Sequence, residues 1–192
     1  MPRVNYRERS KSLKHLTMKK QLLVLLFIFS AFNHFTYAQG KESLKISWPG
    51  EYKWKIGSNQ QVKNSRMIEL IPGKETLNNW SIIGTMLSMQ GTKNVPMNTA
   101  VKMTFDKMKV NSPKARLVII ERGDAAKNPW IIFKIESPYF TNSKIPESQM
   151  YYIIQGNASL YSNFVAVKQA SLGPLFIEKW AKIFKNSSLI YN

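Results

Sequence analysis

The chain has 192 residues, 44% hydrophobic and 20% charged, with a formal charge of +17 and no cysteine. That length allows one ordinary core, and the composition is that of a globular protein rather than a disordered one. The missing cysteines exclude disulfides, thiolate metal sites, thiol nucleophiles and a lipid anchor built on a modified Cys.

The charge is unevenly spread. In residues 1–38 Arg3, Arg7, Arg9, Lys11, Lys14, Lys19 and Lys20 face only Glu8, a surplus of +6 that leaves +11 on the remainder. Such a surplus favours an anionic partner: envelope lipid or polysaccharide, an acidic protein face, or nucleic acid. Met18-Lys19-Lys20 precedes the apolar run Leu22–Phe32, and the small residues Thr36 and Ala38 stand three and one positions before Gln39. A charged start, a short apolar middle and small residues before a cut make a secretory signal, here cleaved between Ala38 and Gln39. The run is far shorter than the ~20 residues a spanning helix needs, so no stable transmembrane span is expected after cleavage. Residues 1–17 read as a disordered upstream extension with Met18 as the true start, 18–38 as the signal and 39–192 as a single α+β domain. The product is expected in the periplasm or outside the cell. Both histidines, His15 and His34, precede the expected cut. The mature chain then has neither His nor Cys, which removes Ser-His-Asp and Cys-His catalysis, His-ligated zinc and imidazole acid–base chemistry together.

Along the mature chain, Gln39–Gly50 is a lead-in that alternates at Leu44, Ile46 and Trp48 and ends in the turn signal Pro49-Gly50. Tyr52–Ile56 alternates apolar with basic and predicts a half-buried strand; Gly57–Ser65 is a polar loop, and Arg66–Ile71 a second strand. Trp80–Met89 carries the β-branched Ile82, Ile83 and Thr85 and a mid-run Gly84, which favours strand over helix. Asn98–Val110 places Met97, Val101, Phe105 and Met108 on one stripe and predicts a helix, ended by Pro113. Lys114–Arg122 and Pro129–Glu136 form a strand pair, and Ser137–Glu147 is a loop. Ser148–Ala170 is the spine of the sheet: two long apolar arms around Gly156-Asn157, a dipeptide suited to a two-residue type II′ turn with positive φ at Gly156. Gly173-Pro174 opens a last helix with Phe176, Ile177, Trp180, Ile183 and Phe184 on its apolar face.

The order β-β-β-α-β-β-β-β-α predicts an antiparallel sheet of about six to seven strands with two helices packed on it, both on one face. In this order, with a strand opening at Asn79-Trp80 and Glu147-Ser148-Gln149 leading into the closing hairpin, the chain resembles the PsbP-like α/β sandwich. Members of that fold include a photosystem extrinsic subunit and a nucleotide-release factor for a small GTPase. They share a shape and not a site, so the resemblance implies no functional residue here.

Little chemistry is visible. Glu121, Asp124 and Glu136 approach one another in the predicted hairpin, as a carboxylate-dependent hydrolase requires, but Arg122, Lys127 and Lys134 are interspersed and suggest cross-strand ion pairs. No S-x-x-K tetrad occurs in the mature chain, and no glycine-rich phosphate loop occurs anywhere. Tyr52-Lys53-Trp54-Lys55 mimics a base-stacking platform, yet a half-buried strand has the same pattern and export puts nucleic acid out of reach. Asn157-Ala158-Ser159 and Asn186-Ser187-Ser188 match the glycan sequon by chance. The expected function is an exported, non-enzymatic binding domain with no cofactor, and its candidate basic contacts for an anionic envelope component or protein partner are Arg116, Arg122 and Lys134. The alternatives are an envelope hydrolase using carboxylates and a structural subunit of an envelope complex.

Overall fold

A computed structural model describes residues 42–191. The extension, the signal segment and the expected cut between Ala38 and Gln39 lie outside the described residues. The elements in chain order are β1 (Glu42–Lys45), a 3-10 turn (Gly50–Tyr52), β2 (Trp54–Val62), β3 (Ser65–Pro72), β4 (Ile82–Gln90), α1 (Met97–Asn111), β5 (Arg116–Gly123), β6 (Trp130–Ser137), β7 (Glu147–Gln155), β8 (Ser159–Val167), α2 (Pro174–Lys185) and β9 (Ser188–Tyr191). The fold is α+β. Seven strands pair antiparallel in the order β2-β3-β4-β8-β7-β6-β5, and β1 pairs with β9 in a second, two-stranded sheet.

The expected spine hairpin is β7–β8, and β8 stands at the centre of the large sheet. Its turn differs from the expected one. The connection is the three residues Gly156–Ala158, closed by Gly156 N–H donating to Ser159 O at 2.8 Å, and Gly156 has no positive φ. Glycine is needed for space instead: a Cβ there would stand 2.2 Å from Glu42 Oε1. That carboxylate accepts from the turn amides of Asn157 (2.7 Å) and Ala158 (3.3 Å) and from Tyr161 Oη (3.3 Å), so β1 is tied to the hairpin by its first residue.

Alternation sorts the core into two faces. On one, Ile132, Met150, Tyr152, Ile154, Tyr161, Val165 and Val167 meet Trp180 and Phe184 of α2 together with Leu44 and Ile46. Aromatic rings extend this cluster. Trp48 meets Trp54 edge-on at 5.4 Å and Trp180 at 5.6 Å, and it lies on Gly84, where a Cβ would come within 2.4 Å of the indole. The indole N–H groups of all three tryptophans are buried without an oxygen acceptor among the described residues, and the edge-on rings offer them π faces. On the other face Phe133, Tyr151 and Phe164 sit side by side on β6, β7 and β8, the first two stacked at 4.8 Å and the last two tilted at 4.9 Å.

The helices do not share a face. Gln155 and Arg122 project from the face opposite α2, and they hold the start of α1 through Gln155 Oε1 accepting from Val95 N–H (3.1 Å) and Arg122 donating to Asn98 Oδ1 (3.0 Å). The segment 91–96 crosses the ends of β8 and β7, and α1 packs on β6 and β7, so a helix covers each side of the sheet. Two further expectations change. The polar stretch 57–62 is strand: it completes β2 at the sheet edge, where both faces tolerate polar side chains, and only Lys63-Asn64 remains as a turn. The lead-in and the C-terminal tail are strands because each completes the other.

Candidate functional site: a basic corner

The three cations expected to share a surface do not. Ile120 is a bulge between Ile119 and Glu121, and the extra residue turns Arg122 onto the α1 face, away from Arg116 and Lys134. There Arg122 bonds Asn98 and Asp124, and the Asp124 carboxylate holds the guanidinium pKa above its ordinary value. Lys134 lies beneath the segment leading into α2 and is no surface residue. Its Nζ donates to Glu136 Oε1 at 2.6 Å, both side chains are under a fifth exposed (16% and 17%), and Glu136 also accepts from Leu172 N–H at 2.9 Å. Arg116 and Arg122 are both exposed on the edge strand β5, but on opposite faces of it.

The three carboxylates of the alternative reading are also dispersed. Glu121 takes Lys185 of α2 at 2.9 Å, Asp124 takes Arg122 at 2.5 Å, and Glu136 takes Lys134. Each is engaged by a different cation on a different element. Among the described residues no three His, Cys, Asp or Glu side chains come together as metal ligands.

A denser group of cations forms at the C-terminal end of α1. Ser112 Oγ donates to Tyr139 O (2.8 Å) and Thr141 N–H to Asn111 O (2.9 Å), which folds the loop between β6 and β7 against the helix end. Within that loop Phe140 O accepts from Lys144 N–H at 2.9 Å, and Lys144 adopts a left-handed φ of 58°. The result brings Lys144 and Lys114 over one ring, 5.4 and 5.8 Å from the Tyr139 centroid, while Lys109 stands 5.8 Å from the Phe105 centroid and donates to Pro113 O. Lys107, on the same helix, is half-buried, and burial lowers its pKa to about 8.

None of these four lysines has a carboxylate partner among the described residues. The neighbouring Asp106 is taken by Lys102 one helical turn back. Cation–π contacts with Tyr139 and Phe105 hold the ammonium groups in place without neutralising them. Val110 (76% exposed) and Ile145 (49%) stand uncovered on the same helix and loop. Sequence reading missed this group because Lys144 lies 30 residues beyond Lys114 and only the loop contact joins it to the helix. The signal present was the density of Lys along 107–114.

A groove of about 520 Å³ opens at the other end of α1, between its first turn, Arg122, Lys127 and Gln155. Its buried amide is already used: Gln155 Nε2 donates to the carbonyls of Thr92, Gly156 and Ser159. Arg122 there is paired, so the groove has less unspent binding capacity than the corner. The sequence matches no family model and none of the curated proteins.

Proposed function

We propose that this is an exported, non-enzymatic domain that binds an anionic component of the cell envelope through the corner formed by α1 and the β6–β7 loop. The observation that carries the reading is the set Lys109, Lys114 and Lys144 without carboxylates, beside the exposed Val110 and Ile145. Export rests on the sequence of residues 18–39. Juxtaposed lysines and small apolar side chains suit a surface that offers phosphate groups above hydrocarbon, where each basic residue near an anionic leaflet contributes about 1 kcal/mol.

Sedimentation with vesicles that contain or lack an anionic phospholipid tests this. Binding is expected only with the anionic lipid, to fall steeply with added salt, and to be lost in K109E/K114E/K144E while K53E/K55E/K74E binds like wild type. Equal loss in both triple variants, or binding that ignores salt and lipid charge, refutes the assignment of the corner.

A further inference from the structure

On the face opposite α1, where neither α2 nor the tryptophan cluster reaches, a cleft of about 240 Å³ opens between β1 and the exposed half of the sheet. Two adjacent rungs make its floor. Ile68, Met86 and Asn163 sit side by side on β3, β4 and β8, and Arg66, Ser88 and Tyr161 form the next rung. Asn163 is 1% exposed in the middle of the central strand, and its Nδ2 has no acceptor among the described residues. The alternating positions after it on this face are Val165 and Val167, both core residues. An amide at that place costs stability unless something supplies an oxygen to it.

The surrounding polar groups do not supply that oxygen. The Glu42 carboxylate is held by the turn amides and by Tyr161 Oη, and Ser88 Oγ is turned toward Arg66 O at 3.5 Å. Arg66 Nε donates to Asn59 Oδ1 at 3.1 Å, and its guanidinium makes no ion pair among the described residues. Arg66 and Asn163 are two strands and one rung apart, so their Cα atoms are separated by about 12 Å, from ~4.8 Å per strand and ~3.4 Å per residue. In the structure the Arg66 guanidinium turns toward Asn59 on β2, and this exposed side chain must swing across β4 to share one acceptor group with Asn163. Ile68, Met86 and Leu44 present apolar walls below and beside it. At ~30 Å³ per water-sized group the cleft holds about eight such groups.

We infer that this cleft binds a small carboxylic acid with a short apolar body, its carboxylate oxygens accepting from Asn163 Nδ2 and Arg66 and its chain lying on Ile68 and Met86. A buried donor without an internal partner discriminates strongly against ligands that lack the matching acceptor, whereas the apolar walls set size only. The site is separate from the basic corner, and neither depends on the other.

Hexanoate, hexanamide and hexylammonium, matched in size, separate the contributions when titrated into the full chain and followed by thermal shift and calorimetry. Hexanoate is expected to saturate and to raise Tm, hexanamide to bind at least tenfold more weakly, and hexylammonium to leave Tm unchanged. Asn163→Leu is expected to melt at or above wild type and to lose the hexanoate shift. Arg66→Gln, at an exposed position, is expected to fold normally and to bring hexanoate down to the affinity of hexanamide. Equal response to all three compounds, no response to any, or undiminished hexanoate binding in either variant overturns the inference.

Discussion

Glu42→Ala removes a carboxylate that accepts from the amides of Asn157 and Ala158 and from Tyr161 Oη. Hydrogen bonds to a charged group contribute about 1.5–3 kcal/mol, and the two turn amides, being partly exposed, regain water when the carboxylate leaves. A loss of about 2–3 kcal/mol is therefore expected for Glu42→Ala and about 1 kcal/mol for Glu42→Gln, whose amide oxygen still accepts. Gly156→Ala reaches the same interaction from the other side. The added Cβ meets Glu42 Oε1 at 2.2 Å and Cδ at 2.7 Å, so the carboxylate must leave the turn, and the cost is about 2 kcal/mol. Gly156 has no positive φ, which makes alanine acceptable to the backbone itself. In the Glu42→Ala background the obstruction is gone and Gly156→Ala is expected to cost under ~0.5 kcal/mol, leaving a coupling of about 1.5 kcal/mol. Urea denaturation of the four chains, followed by tryptophan fluorescence, measures the cycle. Additive losses, within ~0.5 kcal/mol, would refute the account of why this position is glycine.

Lys107 has a folded pKa lowered by burial to about 8, below its unfolded value, so its burial opposes folding below that pH. Stability is expected to rise between pH 8 and about 10.5 as the unfolded chain keeps the proton longer, and Lys107→Met is expected to be more stable at pH 7 and to lose this rise in denaturation curves taken across the range. Burial raises the pKa of Tyr151, Tyr152 and Tyr161, the last to about 12, so their contribution is complete below about pH 10, where unfolded tyrosine ionises, and is lost as the pH climbs further; a Lys107→Met chain that still gained stability above pH 10 would contradict this. Lys134→Met strands the Glu136 carboxylate under the α2 lead-in and is expected to cost about 3–5 kcal/mol, whereas Lys134→Met with Glu136→Leu recovers most of it. Trp180→Ala empties the centre of the aromatic cluster, with an expected loss of about 3–5 kcal/mol and collapse of the near-ultraviolet dichroism, while Trp180→Phe keeps most of both.

Periodicity made most of the sheet legible, and it failed where a single residue or a distant contact decided the outcome. The alternation of Leu117, Ile119, Ile131, Phe133 and Ile135 identified the β5–β6 pair, but nothing local marks Ile120 as a bulge, and that one residue moved Arg122 to the other face. β2 continued through a polar stretch because an edge strand needs only a partner's backbone, which Gln60 and Gln61 find opposite Met67 and Arg66. β1 and β9 are four residues each and stable only together, so neither end of the sequence carried a complete signal. Glycine 156 was legible as a special position, although the cause is a carboxylate 114 residues earlier rather than its own dihedral. The basic surplus was legible as a total. Its address was not, since Lys144 joins Lys109 and Lys114 only through the hydrogen bonds of Ser112 and Thr141.

The pairing of β1 with β9 has a mechanical consequence. Because Glu42 lies opposite Tyr191 in an antiparallel ladder, the first and last described residues stand side by side. Tension between them loads the ladder like a zipper, one rung at a time, rather than in shear across all four rungs. The small sheet therefore acts as a weak link that peels at low force and leaves the seven-stranded sheet intact. Force-extension curves should show a minor early release before the main rupture.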